Sequence, residues 1–193
     1  MGKYTVIADV GTALVQLLRE NLCPDIILSP DNIGLCSPDE KGDMILGLHL
    51  YDVRESQEMR ATGMVDLSPG KQRFPSACLT LSYMITAYSK ADVKHRAGED
   101  QRILGRVIQT LGDNATLSTD TLTPVPRAEA MDLHIQMLAL ELEAQQRIWT
   151  VPNQAYRTSL FYRVGPVELE SGKTRQVQRI VDLDLTVEEK ERG

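Results

Sequence analysis

The stretch that most constrains this chain runs from Ser76 to Asp113. From Ser76 to Tyr88 the residues alternate with period two. Leu79, Leu81, Tyr83, Ile85 and Ala87 fall on one face, and Cys78, Thr80, Ser82, Met84 and Thr86 on the other. That period, carried by β-branched and aromatic residues, specifies a strand. The leucine face must meet a core, and the Ser/Thr face is expected to be half covered. Ser89-Lys90-Ala91 then turns the chain, and Asp92 is placed to cap a helix. Ala97, Leu104, Val107, Ile108 and Leu111 recur at helical spacing, with Glu99, Arg102, Arg106 and Gln109 opposite. Gly112 stands where a left-handed C-cap belongs. The expectation is a helix laid on the apolar face of the sheet that this strand helps to build.

The remaining patterns surround that unit. Thr5 to Leu22 reads as a helix with Ile7, Val10, Leu14, Leu17 and Leu18 on one face. Gly11 inside it costs about 1 kcal/mol against Ala unless a close neighbour uses the gap. Pro24 ends it. Ile26-Ile27-Leu28 is a short strand candidate, and Ile33 to Cys36 another apolar run. Met44 to Val53 is a strong strand, apolar on both faces, which suggests an interior place in the sheet. Arg54 to Phe74 is polar with weak pattern and is expected to be a functional or partner-facing loop, and Asp113 to Ala130, broken by Pro124 and Pro126, another loop. Met131 to Leu140 alternates. A short helix from Glu141 to Thr150 should put Ile148 and Trp149 on the core. Tyr156 to Val164 alternates again, with Gly165-Pro166 as a kink or bulge. Ser171-Gly172-Lys173 suggests a hairpin-like turn, and Val177 to Val187 a last strand. The sum is one α+β domain over residues 1–193, with a mixed, mostly antiparallel sheet and helices packed on one face.

At 193 residues the chain can bury roughly 70% of its unfolded surface without a covalent staple. Its net charge of −6 argues against a nonspecific nucleic-acid binder. Three cysteines, Cys23, Cys36 and Cys78, lack the count and spacing of a disulfide framework or zinc site and read as small buried thiols. No signal peptide is visible, and no apolar run reaches membrane-spanning length. No Gly-rich phosphate loop, paired-His zinc helix or Gly-x-Ser-x-Gly elbow occurs. His49, His95 and His134 lie far apart with no carboxylate partner in sequence. Asp182 and Asp184 share a face and could grip a divalent metal for a hydrolase, but the preferred reading is that they are simply the strand's solvent face. Arg102 and Arg106 fit a solvated helix face or an assembly contact, and Arg157 and Arg163 edge or interface charges. These patterns alone describe a soluble α+β domain with no visible active site.

From Tyr4 to about Glu188 the chain resembles the tail-terminator or cap proteins of contractile injection systems, the phage-tail-like particles that include virulence cassettes and antifeeding prophages. The stretches that carry the resemblance are Tyr4 to Gly11, Ile33 to Pro38, Leu46 to Val53, Leu81 to Tyr88, Gln101 to Gln109 and Pro152 to Val164. Their order and joint coverage carry it, since no single motif is diagnostic. The resemblance implies a phage tail-terminator-like fold and a structural protein with no catalytic, cofactor-binding or metal-binding residues. It implies a hexameric ring at the end of the tail away from the baseplate. There it would terminate the inner tube and anchor the last sheath layer. The implied partners are copies of itself and the tube and sheath proteins, with no nucleic acid and no membrane insertion. The implied location is the cytoplasm, in an assembled particle that can leave the cell. The alternative is a non-catalytic adaptor that docks a partner by sheet-edge pairing.

Overall fold

The structure, a computed structural model, describes residues 4–56, 63–117, 132–149 and 155–177. Its elements are α1 (Val6–Leu22), β1 (Ile33–Leu35), β2 (Leu46–Glu55), β3 (Val65–Ser68), β4 (Lys71–Arg73), β5 (Ala77–Ala87), α2 (Val93–Asp113), β6 (Thr116–Leu117), β7 (Leu133–Met137), α3 (Leu142–Ile148), β8 (Ser159–Leu169) and β9 (Thr174–Gln176). They group into two compact units, residues 1–61 with 76–170, and residues 62–75 with 171–193.

The larger unit is built on a six-stranded sheet in the order β1-β2-β5-β8-β7-β6. Only the β1–β2 pair is parallel. The strand expected at Ser76–Tyr88 is β5, and it lies between β2 and β8. Its Leu79, Leu81, Tyr83, Ile85 and Ala87 belong to the main core, where α1 contributes Val10, Leu14 and Leu18 and α2 contributes Leu104, Val107 and Leu111. The two long helices therefore cover the face that the sequence marked as apolar.

The other face differs from expectation. Cys78, Ser82, Met84 and Thr86 are buried and only Thr80 is half-exposed. Met84 joins Tyr88, Phe161 and Trp149 in a second cluster, with Leu138, Leu140 and Ile148 packed around it. The segment through α3 thus covers part of the face opposite α1 and α2. Trp149 does sit in a core, but in this second one. Thr86 and Ser159 share a buried hydrogen bond of 2.7 Å, so the hydroxyls there are partnered across β5 and β8.

Several local expectations are corrected. Ile26-Ile27-Leu28 is not a strand. The amides of Ile26 and Ile27 both donate to the Leu22 carbonyl, which prolongs the end of α1 as turns. Ile27 alone is driven into the core, at 1% exposure, while Leu28 stays outside. Gly112 lies within α2, which ends at Asn114; the Asn114 amide and its Nδ2 both donate to the Thr110 carbonyl. Ala97 and Ile108 are exposed, and Ile103 takes the buried place. β2 is an interior strand only at its start. Leu46 to Leu48 pair with β1, and beyond them its outer edge has no strand partner among the described residues.

Glycines and bulges set the close approaches. A Cβ on Gly11 would stand 3.0 Å from Leu35 Cδ1 and 3.3 Å from the Tyr83 hydroxyl, so the gap in α1 is used by the sheet. Leu79 pairs with Val167 and Leu81 with Val164, so Gly165 and Pro166 face the single residue Thr80 and form the expected bulge. A second bulge falls at Tyr51 in β2. At Gly47 a Cβ would lie 2.5 Å from Cys36 Sγ and 3.1 Å from Tyr88 Cε2. Gly47→Ala is therefore expected to destabilise by about 1–3 kcal/mol through overpacking. Adding Cys36→Ala should recover part of that loss, and strict additivity of the two changes in chemical denaturation would show that the clash is not with the thiol.

The smaller unit corrects the expected Arg54–Phe74 loop. Residues 65–73 form the hairpin β3–β4, and β9 pairs with the other side of β4. The hairpin turns at Pro69-Gly70, where Gly70 has φ of 82°, a conformation glycine takes without a Cβ penalty. Ser171-Gly172-Lys173 therefore leads not into a hairpin with β8 but into a strand bound to β4. Phe74 N donates to the Lys173 carbonyl at 3.0 Å, and Lys173 Nζ lies 4.6 Å from the Phe74 ring centre. The last strand expected at Val177–Val187 lies outside the described residues apart from Val177, whose amide donates to the Gly70 carbonyl.

Candidate functional site: interaction surfaces

The titratable residues singled out in the sequence do not converge. His49 is half-buried in β2, while His95 on α2 and His134 on β7 are exposed. Asp182 and Asp184 lie outside the described residues. Among the described residues no group of three His, Cys, Asp or Glu side chains is placed to hold a metal ion. The three cysteines are free thiols; Cys78 is buried, and Cys23 and Cys36 are half-buried. Burial pushes all three thiols above their ordinary range, so none is an activated thiolate.

The arginines separate into structural and available ones. Arg106 Nε donates to the Asn21 carbonyl at 3.3 Å and ties α2 to the end of α1. It is therefore part of the fold and not a purely solvated charge. Arg102 makes only an exposed 3.4 Å pair with Glu99. Arg157 lies 3.5 Å from Asp100 and over the Tyr88 ring, whose centre also lies 5.2 Å from Lys41 Nζ. That sandwich pins the segment before β8 to the end of β5. Burial, more than any neighbour, raises the Tyr88 phenol to about 12. Arg163 on β8 is exposed and makes no hydrogen bond or ion pair among the described residues.

Among the surface features of the described residues are two open grooves and one strand edge. The first groove, about 630 Å³, is lined by the apolar Tyr4, Ile7, Leu35 and Leu50 with His49 and Glu40. The second, about 350 Å³, lies on the sheet face opposite α1 and α2. Its wall is Leu138, Leu140, Ala144 and Ile148, and its polar side holds Thr80, Ser82, Arg54 and Arg163. The edge is the outer side of β2 past Leu48, flanked by Val53 at 43% exposure. None of these combines a nucleophile, a base and an oxyanion donor. The sequence carried no signal for the grooves, because each is assembled from separate elements.

His49 gives a pH test of the first groove. Burial lowers its pKa from the ordinary 6.5, and the smaller effect of Asp39 opposes this. The unfolded chain then takes up the His49 proton at a higher pH than the folded one. Its contribution to stability is complete above the unfolded pKa and is lost as pH falls below that value, levelling off below the folded pKa. His49→Gln is therefore expected to flatten the loss of stability between about pH 7 and pH 5, measured by denaturant melts. Equal losses in both proteins would show that His49 is not the titrating group.

The larger unit is thus a six-stranded sheet covered on one face by two long helices, with open grooves on its surface. The chain belongs to the Pvc16 N-terminal domain family, whose model matches residues 9–182. Two solved structures share its fold. One is the sheath/tube terminator of PVC, an extracellular contractile injection system, in its extended state. It has 19% identity and a TM-score of 0.67 over 96% of this chain and 64% of that chain. The other is the tube-terminating cap of the anti-feeding prophage, with 20% identity and a TM-score of 0.65 over 93% of this chain and 61% of that chain. This chain thus spans less than two thirds of either. No curated protein matches it. Among the described residues no helix is long and apolar enough to cross a membrane.

Proposed function

We propose that this chain is a structural, non-catalytic cap of a contractile injection particle. In this reading it forms a hexameric ring at the end distal to the baseplate, terminates the inner tube and anchors the last sheath layer. Residues 1–193 act as one cap domain, assembled in the cytoplasm and released with the particle. What supports this is a fold shared over nearly the whole chain with one sheath/tube terminator and one tube cap, in a chain of the Pvc16 N-terminal domain family. The grooves fit the role, since a ring of identical copies needs two different patches complementary to each other and no pocket. The competing adaptor reading has its own support in the open outer edge of β2, to which an extended partner could add a strand.

Light scattering and negative-stain microscopy, on the protein alone at micromolar concentration and with tube protein added, separate the two. The cap reading expects a six-fold ring seated on tube ends and tubes of limited length. A protein that stays monomeric in both conditions and leaves tubes unterminated would overturn it.

A further inference from the structure

The groove beside α3 combines an apolar wall with an uncompensated cation. Leu138, Leu140, Ala144 and Ile148 form the wall, and Arg163 stands across from them with no ion pair among the described residues. Arg54, at the rim, is already engaged by Asp52 at 2.6 Å. On a chain of net charge −6, an unpaired guanidinium beside an apolar wall suits a segment that alternates apolar residues with carboxylates. This chain carries one: Asp182-Leu183-Asp184-Leu185-Thr186-Val187-Glu188-Glu189. In extended form such a segment sets Leu183, Leu185 and Val187 on one side and Asp182, Asp184 and Glu188 on the other.

We propose that this groove receives residues 182–189 of a second copy of the chain, with the leucine row on the α3 wall and a carboxylate on Arg163. The inference rests on the ring proposed above. A ring has heterologous interfaces, in which a donor surface on one copy meets a different acceptor on the next. Residues 178–193 are sixteen residues long and span up to about 50 Å when extended. Four of them, residues 178–181, separate Val177 from the docking segment and would span about 14 Å, so the acceptor groove would lie within about that distance of the donor's Val177.

Cysteine cross-linking in the full chain tests this. Cys23, Cys36 and Cys78 are first replaced by Ala. One tagged version then receives Ala144→Cys in the groove wall and a differently tagged version Leu185→Cys. Mild oxidation of the mixture should link the two tags. Arg163→Glu in the groove partner should cut the yield at least tenfold, with its melting curve unchanged because Arg163 is exposed. A control pair, Ala97→Cys on the exposed start of α2 with Leu185→Cys, sets the background. Linkage at background level in a sample that light scattering shows to be hexameric would overturn the groove assignment and leave the ring standing. Linkage only within a chain carrying both cysteines would also overturn it, because the segment would then fold onto its own copy. A monomeric sample with no linkage would overturn the ring and the groove together.

Discussion

Replacing Trp149 with Ala is expected to lower stability by about 3–5 kcal/mol. The indole is 4% exposed and packs with Met84, Tyr88 and Phe161. Its Nε1–H donates to the Ala155 carbonyl at 3.1 Å, and the Tyr156 ring meets it edge-on at 6.2 Å. α3 buries none of its own residues, so it is held largely by the tryptophan at its end. Truncation therefore removes both the second core cluster and the anchor of α3. In a chain of this size the loss corresponds to a melting temperature lowered by roughly 10 °C. Hydrogen exchange should show α3 losing protection while α1 and α2 keep theirs. Retained protection in α3 would mean that Trp149 is not its anchor.

Leu81→Ala is expected to cost about 2–5 kcal/mol, spread over the whole larger unit. Leu81 is fully buried on the apolar face of β5, paired to Val53 on one side and Val164 on the other. A cavity there loses contacts to strands that the sheet holds fixed and that cannot collapse into it. Leu28→Ala is the control: Leu28 is 87% exposed, and its change should stay within about 0.5 kcal/mol. Thermal and denaturant melts of the two variants make the comparison. Equal effects would contradict the placing of the core. Below its lowered melting temperature the Leu81→Ala protein should keep the oligomeric state of the parent protein, because Leu81 is fully buried.

The two differ in how readable they were. Leu81 lies in an uninterrupted alternation of eleven strand residues, so its burial followed from period alone. Trp149 was expected on the core, but which core was decided by a segment whose packing partners, Met84 and Phe161, come from two distant strands. In the sequence Met84 falls on the face expected to be half covered, since alternation says which residues share a side and not what covers that side. The β3–β4 hairpin was read as a loop although Pro69-Gly70 is a turn signal. Its strands are only four and three residues long, and their stabilising partner β9 lies about a hundred residues away. The grooves were invisible for the same reason: each gathers residues from several elements, and the exposure of Arg163 is a property of the folded chain.

The sequence by itself determined the amphipathic helices α1 and α2, the strands β2, β5, β7 and β8, the bulge at Gly165-Pro166 and the family. Those are local periods and ordered stretches, and local sterics and hydrophobic patterning suffice to set them. Only the tertiary structure decided that Ile26 to Leu28 continue a turn, that Gly112 stays helical, that α3 goes to the far face, and that β2 past Leu48 has no outer strand partner among the described residues. Each of those depends on which surfaces meet. Burial against a distant partner outweighs a local preference worth only about 1 kcal/mol.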